Sequence, residues 1–173
     1  MVEDCIGRGK SLQNGGAIYN FSGPQGFGIA NMTDALYAIK KLVYEEKKLT
    51  IEEMKEALDY NYGQGFGTTK AQEVTEQIAK QLMAAGQKVG AEEIAMIYKQ
   101  VMADSMNHPK KARFEEIRAM IDTVPKYGND NEEVDLFARD VAYTYTKPLL
   151  GYMNPRGGIF QAGLYPVSAN VPL

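Results

Sequence analysis

Apolar residues recur at three- and four-residue steps through the middle of this chain and lose that period at both ends. Met32, Leu36, Ile39 and Val43 predict a helix from Met32 to Lys47, with those four on its inner face. Thr50-Ile51-Glu52-Glu53 has the spacing of a capping box, in which the threonine hydroxyl and the glutamate carboxylate each accept from the other's backbone N–H. The helix it opens carries Ile51, Met54 and Leu58 inward and stops near Tyr60–Gly63. Three more stripes follow: Val74/Ile78/Leu82 ended by Gly86, Ile94/Ile97/Val101 ended near Asn107-His108-Pro109, and Phe114/Ile117/Ile121 ended at Val124-Pro125. A last helix carries Val134, Phe137, Val141 and Tyr145 inward and closes at Pro148.

The ends read differently. Asn14–Asn31 holds five glycines and a proline among short apolar pieces, which predicts strand or extended loop with tight turns at Gly15-Gly16 and Gly23-Pro24. From Gly151 the same glycine-rich, apolar texture returns. The order is therefore extended, helical, extended, and a pure helical bundle would not need the two ends. "YNFSGPQGFG" (19–28) and "YNYGQGFG" (60–67) echo each other, but one loop-sized echo is not a repeat.

At 173 residues the chain is long enough for one domain with a sizeable core. Hydrophobic residues at 45% and charged residues at 24% are ordinary for a globular protein. A net charge of −3 argues against nucleic acid, because phosphate binding needs a basic face. The pairs Lys40-Lys41, Lys47-Lys48 and Lys110-Lys111 are interleaved with glutamates and read as solvated helix faces. Cys5 is the only cysteine, so no internal disulfide can form and a reducing compartment is expected. No apolar run has membrane-spanning length, and "MVEDCIGRGK" has no signal-peptide core. The expectation is a soluble, cytoplasmic protein with no membrane partner.

Spacing alone shows no catalytic set. "GPQGFG" (23–28) lacks the Lys-Ser/Thr of a phosphate loop and the spacing of a dinucleotide fingerprint. His108, the only histidine, sits in a helix-ending turn without a second ligand beside it, so no metal site is expected. Cys5 has no base near it in sequence. The pairs Glu45-Glu46, Glu52-Glu53, Glu92-Glu93 and Glu132-Glu133 fall on outer faces or in first turns, where they suit the helix dipole.

Three stretches together resemble the glycyl radical enzymes, the pyruvate formate-lyase-like family: residues 4–47, "PKYGNDNEEVDLFARDVA" (125–142) and "NPRGGIFQAGLYPVSANVPL" (154–173). "YNFSGPQG" and "AGLYPVSANVPL" are most similar to the branch of glycerol and propanediol dehydratases and choline trimethylamine-lyase. The resemblance touches almost all of residues 1–173, as a partial pyruvate formate-lyase-like domain, and is weakest over 63–122, which reads as a helical insertion.

What the resemblance implies is an α/β fold: a fragment of a ten-stranded glycyl radical enzyme barrel, mostly helical here with extended Gly-rich ends. In that family one loop stores a glycyl radical, another carries a cysteine that becomes a thiyl, and an S-adenosylmethionine-dependent activating enzyme generates the radical. Cys5 reads Asp-Cys-Ile-Gly rather than Gly-Cys-x-Glu, and no Arg-Val-x-Gly-Tyr occurs. The glycyl radical and the thiyl cysteine are therefore expected outside this chain, which is expected to be inactive alone and to bind no cofactor. Tyr165 and Val167 match a barrel segment that faces the small-molecule substrate, so they are the expected substrate-binding residues. The apolar ending "GLYPVSANVPL" is then a strand that stops in mid-barrel, and the isolated piece is expected to be poorly soluble. The alternative is an autonomous helical interaction module derived from that family without catalysis.

Overall fold

The computed structural model of the protein is described here over residues 3–165. Among these residues the order is a two-residue strand β1 (Gln25–Gly26), helices α1 (Ile29–Ile39), α2 (Ile51–Asp59), α3 (Thr68–Ala84), α4 (Ala91–Met106), α5 (Lys111–Thr123) and α6 (Glu132–Thr146), and a second strand β2 (Gly163–Leu164). The protein is mostly helical with one small parallel sheet. The chain divides into two compact units, Met1–Tyr37 with Pro125–Leu173, and Ala38–Val124.

Within Ala38–Val124, helix starts follow local chemistry. Thr50 caps α2 as the sequence predicts: its hydroxyl accepts from Glu53 N at 3.1 Å, and Glu53 Oε2 accepts from Thr50 N at 3.0 Å. That hydrogen bond, followed by the charge of Arg113, holds the Glu53 carboxyl below its ordinary value. Arg113 also donates to the Lys48 carbonyl at 3.0 Å, fastening α5 to the loop before α2. Gly86, at φ +85°, ends α3 in the left-handed region that favours glycine.

The core of this unit is built from Leu42, Leu49, Met54, Ala57, Phe114 and Ile117. Small buried residues, Ala71, Thr75 and Ala79 on α3 and Ser105 on α4, let those two helices approach closely. Ser105 Oγ accepts from Phe66 N at 3.0 Å and donates to the Met102 carbonyl at 2.8 Å, so its hydroxyl is satisfied. His108 does sit in the turn after α4, but half-buried: its ring packs on those of Tyr60 and Phe114, at 4.1 and 5.2 Å between centroids.

Two predicted helix faces are corrected. Met32 and Leu36 are 53% and 39% exposed, while Thr33, Tyr37, Ala38 and Leu42 are buried. The inward face of α1 is thus turned by one residue, about 100°. After α1 the chain widens into a π-helical stretch, Lys40–Glu45, which further breaks the regular period. On α2, Ile51 and Leu58 are exposed and only Met54, with Ala57, turns inward. The two echoing loops also differ: 19–27 runs extended and only Gly28 at its end takes a positive φ, whereas Asn61, Tyr62, Gly63 and Gly65 all do. Shared letters do not produce a shared conformation.

In the unit formed by the two ends, Asn131 caps α6 by accepting from Val134 N at 3.2 Å. Val134, Ala138 and Ala142 are buried along that helix, and Tyr37 packs on Phe137 with ring centroids 5.7 Å apart. Asp34 on α1 accepts from Tyr127 N at 2.8 Å, tying that helix to the segment before α6.

Candidate functional site

The two glycine-rich ends meet as neighbouring strands. Ser22 N donates to the Ile159 carbonyl at 3.0 Å, Gln161 N to Ser22 at 2.9 Å, Gly163 N to Pro24 at 2.9 Å and Tyr165 N to Gly26 at 3.1 Å. This is a parallel ladder along 22–26 and 159–165, with Gln25 opposite Gly163 and Gly26 opposite Leu164. Pro24 has no N–H, so one rung is absent and the regular sheet narrows to β1 and β2. The turn expected at Gly23-Pro24 does not form: both residues run extended within the ladder. The turn at Gly15-Gly16 does, with Gly15 at φ +76°.

Asn154 ties the ladder at its lower end. It is 6% exposed and uses both ends of its amide. Nδ2 donates to the Asn20 carbonyl and to Ser22 Oγ, the latter at 3.0 Å. Oδ1 accepts from Arg156 N at 2.9 Å and Gly158 N at 3.0 Å, closing the turn that precedes the second strand. Gly158 passes so close to the first strand that a Cβ there would run into the Asn20 carbonyl. Sequence reasoning missed Asn154 although it opens the third motif. The signal lay in "NPRGG", an asparagine before a glycine turn, whose amide can bond its own backbone two and four residues on.

Alternation gives the ladder two unlike faces. On one, Gly26 lies against α6, where a Cβ would stand 2.8 Å from the Tyr145 ring, and Leu164 beside it is 50% exposed. The other carries Phe21, Gln25 and Phe27 from the first strand and Ile159, Gln161 and Tyr165 from the second, all exposed. There the rings of Phe27 and Tyr165 tilt against each other at 60° with centroids 5.3 Å apart. At the lower end of the ladder a cleft of about 450 Å³ is lined by Tyr19, Asn20, Phe21, Gly158, Ile159 and Gln161.

Of the two predicted substrate residues, the structure places Tyr165 on this open face, 51% exposed, and Val167 lies outside the described residues. Cys5 is a half-buried free thiol with no role in the ladder. Among the described residues no group of three or more His, Cys, Asp or Glu could hold a metal ion, and no helix is long and apolar enough to cross a membrane. What the face offers chemically is aromatic rings and side-chain amides, from Phe21, Phe27, Tyr165, Gln25 and Gln161.

Comparison with known proteins says to which family these helices and the paired strands belong. The family model described as pyruvate formate lyase-like matches residues 1–173, so the chain belongs to that family. A solved structure concerned with 1,2-propanediol dehydration in Roseburia inulinivorans is 58% identical, with a TM-score of 0.78, over 99% of this chain and 20% of that one. The glycerol-bound form of the B12-independent glycerol dehydratase from Clostridium butyricum is 39% identical, with a TM-score of 0.61, over 99% of this chain and 16% of that one. The probable dehydratase YbiW of Escherichia coli (strain K12) is 30% identical over 99% of this chain and 16% of its own length. The resemblance to glycyl radical enzymes of the dehydratase branch is borne out, with decarboxylases as well as dehydratases among the relatives. The chain spans about a sixth of the length of the curated relatives it matches.

Proposed function

We propose that this chain is the part of a glycyl radical dehydratase that supplies two adjacent barrel strands, the helices behind them and one wall of the substrate pocket. The substrate is a small diol or amino alcohol, and the reaction is radical cleavage of a C–O or C–N bond. The observation that carries this is the two-sided ladder: on one face Gly26 lies against Tyr145 of α6, and the other holds Phe27 and Tyr165 open. In a barrel, strands covered by helices on one face turn the other toward the lumen, and 58% identity to a structure concerned with propanediol dehydration favours that arrangement over an independent module.

In this reading Tyr165, with Val167 beyond it, forms pocket wall. The radical glycine and thiyl cysteine belong to the rest of the enzyme, and the S-adenosylmethionine-dependent activating enzyme is its partner. Residues 63–122 are a helical insertion that does not touch substrate. This chain's own contribution is binding, orientation and exclusion of water from the reacting carbon.

The test begins with the coding sequence on both sides. In-frame Gly-Cys-x-Glu upstream and Arg-Val-x-Gly-Tyr downstream make this a slice of a complete enzyme. That enzyme, activated anaerobically, should show a glycyl radical doublet by electron paramagnetic resonance and release an aldehyde from 1,2-propanediol or glycerol. A monodisperse, cooperatively folding 173-residue product with stop and start at its own ends would instead support the helical interaction module.

A further inference from the structure

This inference rests on the reading that Tyr165 walls a pocket for a small hydroxylated substrate, and it adds a second contact to that wall. On the open face Gln25 lies directly across the register from Gly163. A Cβ at Gly163 would stand 2.5 Å from Gln25 Oε1 and 3.0 Å from its Nε2. The Gln25 amide thus occupies the volume that any side chain at 163 would need. Gly163 is not among the positive-φ glycines, so its glycine serves room rather than a turn.

The amide is also oriented. Nε2 donates to the Gly23 carbonyl on its own strand at 3.2 Å, while Oε1 sits over Gly163 with no hydrogen-bond partner among the described residues and is free to accept. Beside it stand the Phe27 and Tyr165 rings, 5.3 Å apart. An acceptor next along the strands from an aromatic pair suits a short carbon chain bearing hydroxyls: C–H groups lie on the rings while an O–H points to the amide oxygen.

We infer that Gln25 orients the substrate by accepting a hydrogen bond from one of its hydroxyls at Oε1, and that Gly163 is the positioning residue that keeps the amide there. The probes are 1,2-propanediol and glycerol, with the full-length, anaerobically activated enzyme that carries this segment. Gln25→Met keeps the length and loses the acceptor; Gly163→Ala keeps the amide and displaces it. Both should raise KM for each diol about three- to tenfold, the worth of one neutral hydrogen bond, with kcat changed less than about twofold and the radical signal intact. An active, radical-bearing enzyme whose KM ignores both substitutions overturns the inference alone. Loss of the radical signal in both variants makes the two residues structural and overturns it too. A wild-type enzyme that forms no radical, or forms it and dehydrates neither diol, overturns the underlying reading first.

Discussion

Replacing Asn154 by alanine should unfasten the ladder without unfolding the helices. The side chain makes four hydrogen bonds: two to backbone N–H groups of its own turn, Arg156 and Gly158, and two across to Asn20 and Ser22. Each such bond is worth about 1 kcal/mol net, and a buried partner left unsatisfied costs about 1–3 kcal/mol. Partial access of the turn to water offsets part of this, so local opening of the ladder should become about 2–4 kcal/mol easier. The assay is amide hydrogen exchange of the peptide covering 159–165, where the N–H groups of Gln161, Gly163 and Tyr165 are the rungs. In the regime where opening is a pre-equilibrium, that loss predicts exchange about 30- to 1000-fold faster there, with α3 amides unchanged. Asn154→Asp separates the two pairs of bonds: it keeps acceptors for the turn but sets a carboxylate against the Asn20 carbonyl. If the cross-strand bonds hold the ladder, the aspartate variant exchanges like alanine. A rise of less than about threefold for alanine, or an equal rise in α3, would refute the reasoning that Asn154 is the local tie.

Gly158→Ala should destabilise more than Gly157→Ala, although only Gly157 has a positive φ, +80°. A Cβ at 157 meets nothing within 4 Å and costs about 1–2 kcal/mol of left-handed strain, whereas at 158 the Asn20 backbone must move; urea midpoints of the two variants decide the order. Thr33 is fully buried and its hydroxyl has no partner among the described residues, so the near-isosteric Thr33→Val should leave stability unchanged or raise it by about 1 kcal/mol; a clear loss in the same assay would mean that the hydroxyl is bonded. Glu53 has its carboxyl pKa lowered from 4.5 by the Thr50 N–H and then by Arg113. A depressed folded pKa gives stability that is present above 4.5 and lost as pH falls through the folded value. The gap in thermal midpoint between wild type and Glu53→Gln should therefore be seen at pH 7 and vanish in acid; a gap that widens in acid would contradict the capping assignment.

Much of the helical order was legible because caps and stops act locally. Thr50 with Glu53, Gly86 and Pro125 each mark a boundary that the structure keeps. Inward faces were less legible. On α1 and α2 the sequence offers bulky apolar residues, Met32, Leu36, Ile51 and Leu58, which the structure leaves exposed, and it buries Thr33 and Ala57 instead. Periodicity reports that a stripe exists; close approach favours small side chains, which carry little hydrophobic weight in a sequence pattern. The family was legible from three motifs, yet Asn154 and Gln25 were not, because a polar knot has no period and its partners lie far away in the chain.

The distance spanned by the Asn154 ties has a consequence for how the protein is made. Its partners Asn20 and Ser22 precede it by 134 and 132 residues. At about 5–20 residues per second on a ribosome, the first strand waits roughly 7–27 s for the second to be synthesised, while helices form within about a microsecond. During that wait the edge bordered by Phe21 and Phe27, both exposed even in the finished structure, has no second strand. The missing N–H of Pro24 and the glycines around it then matter in a second way, because they make that edge a poor template for pairing with another nascent chain. The residue that interrupts the finished ladder thereby protects the unfinished one.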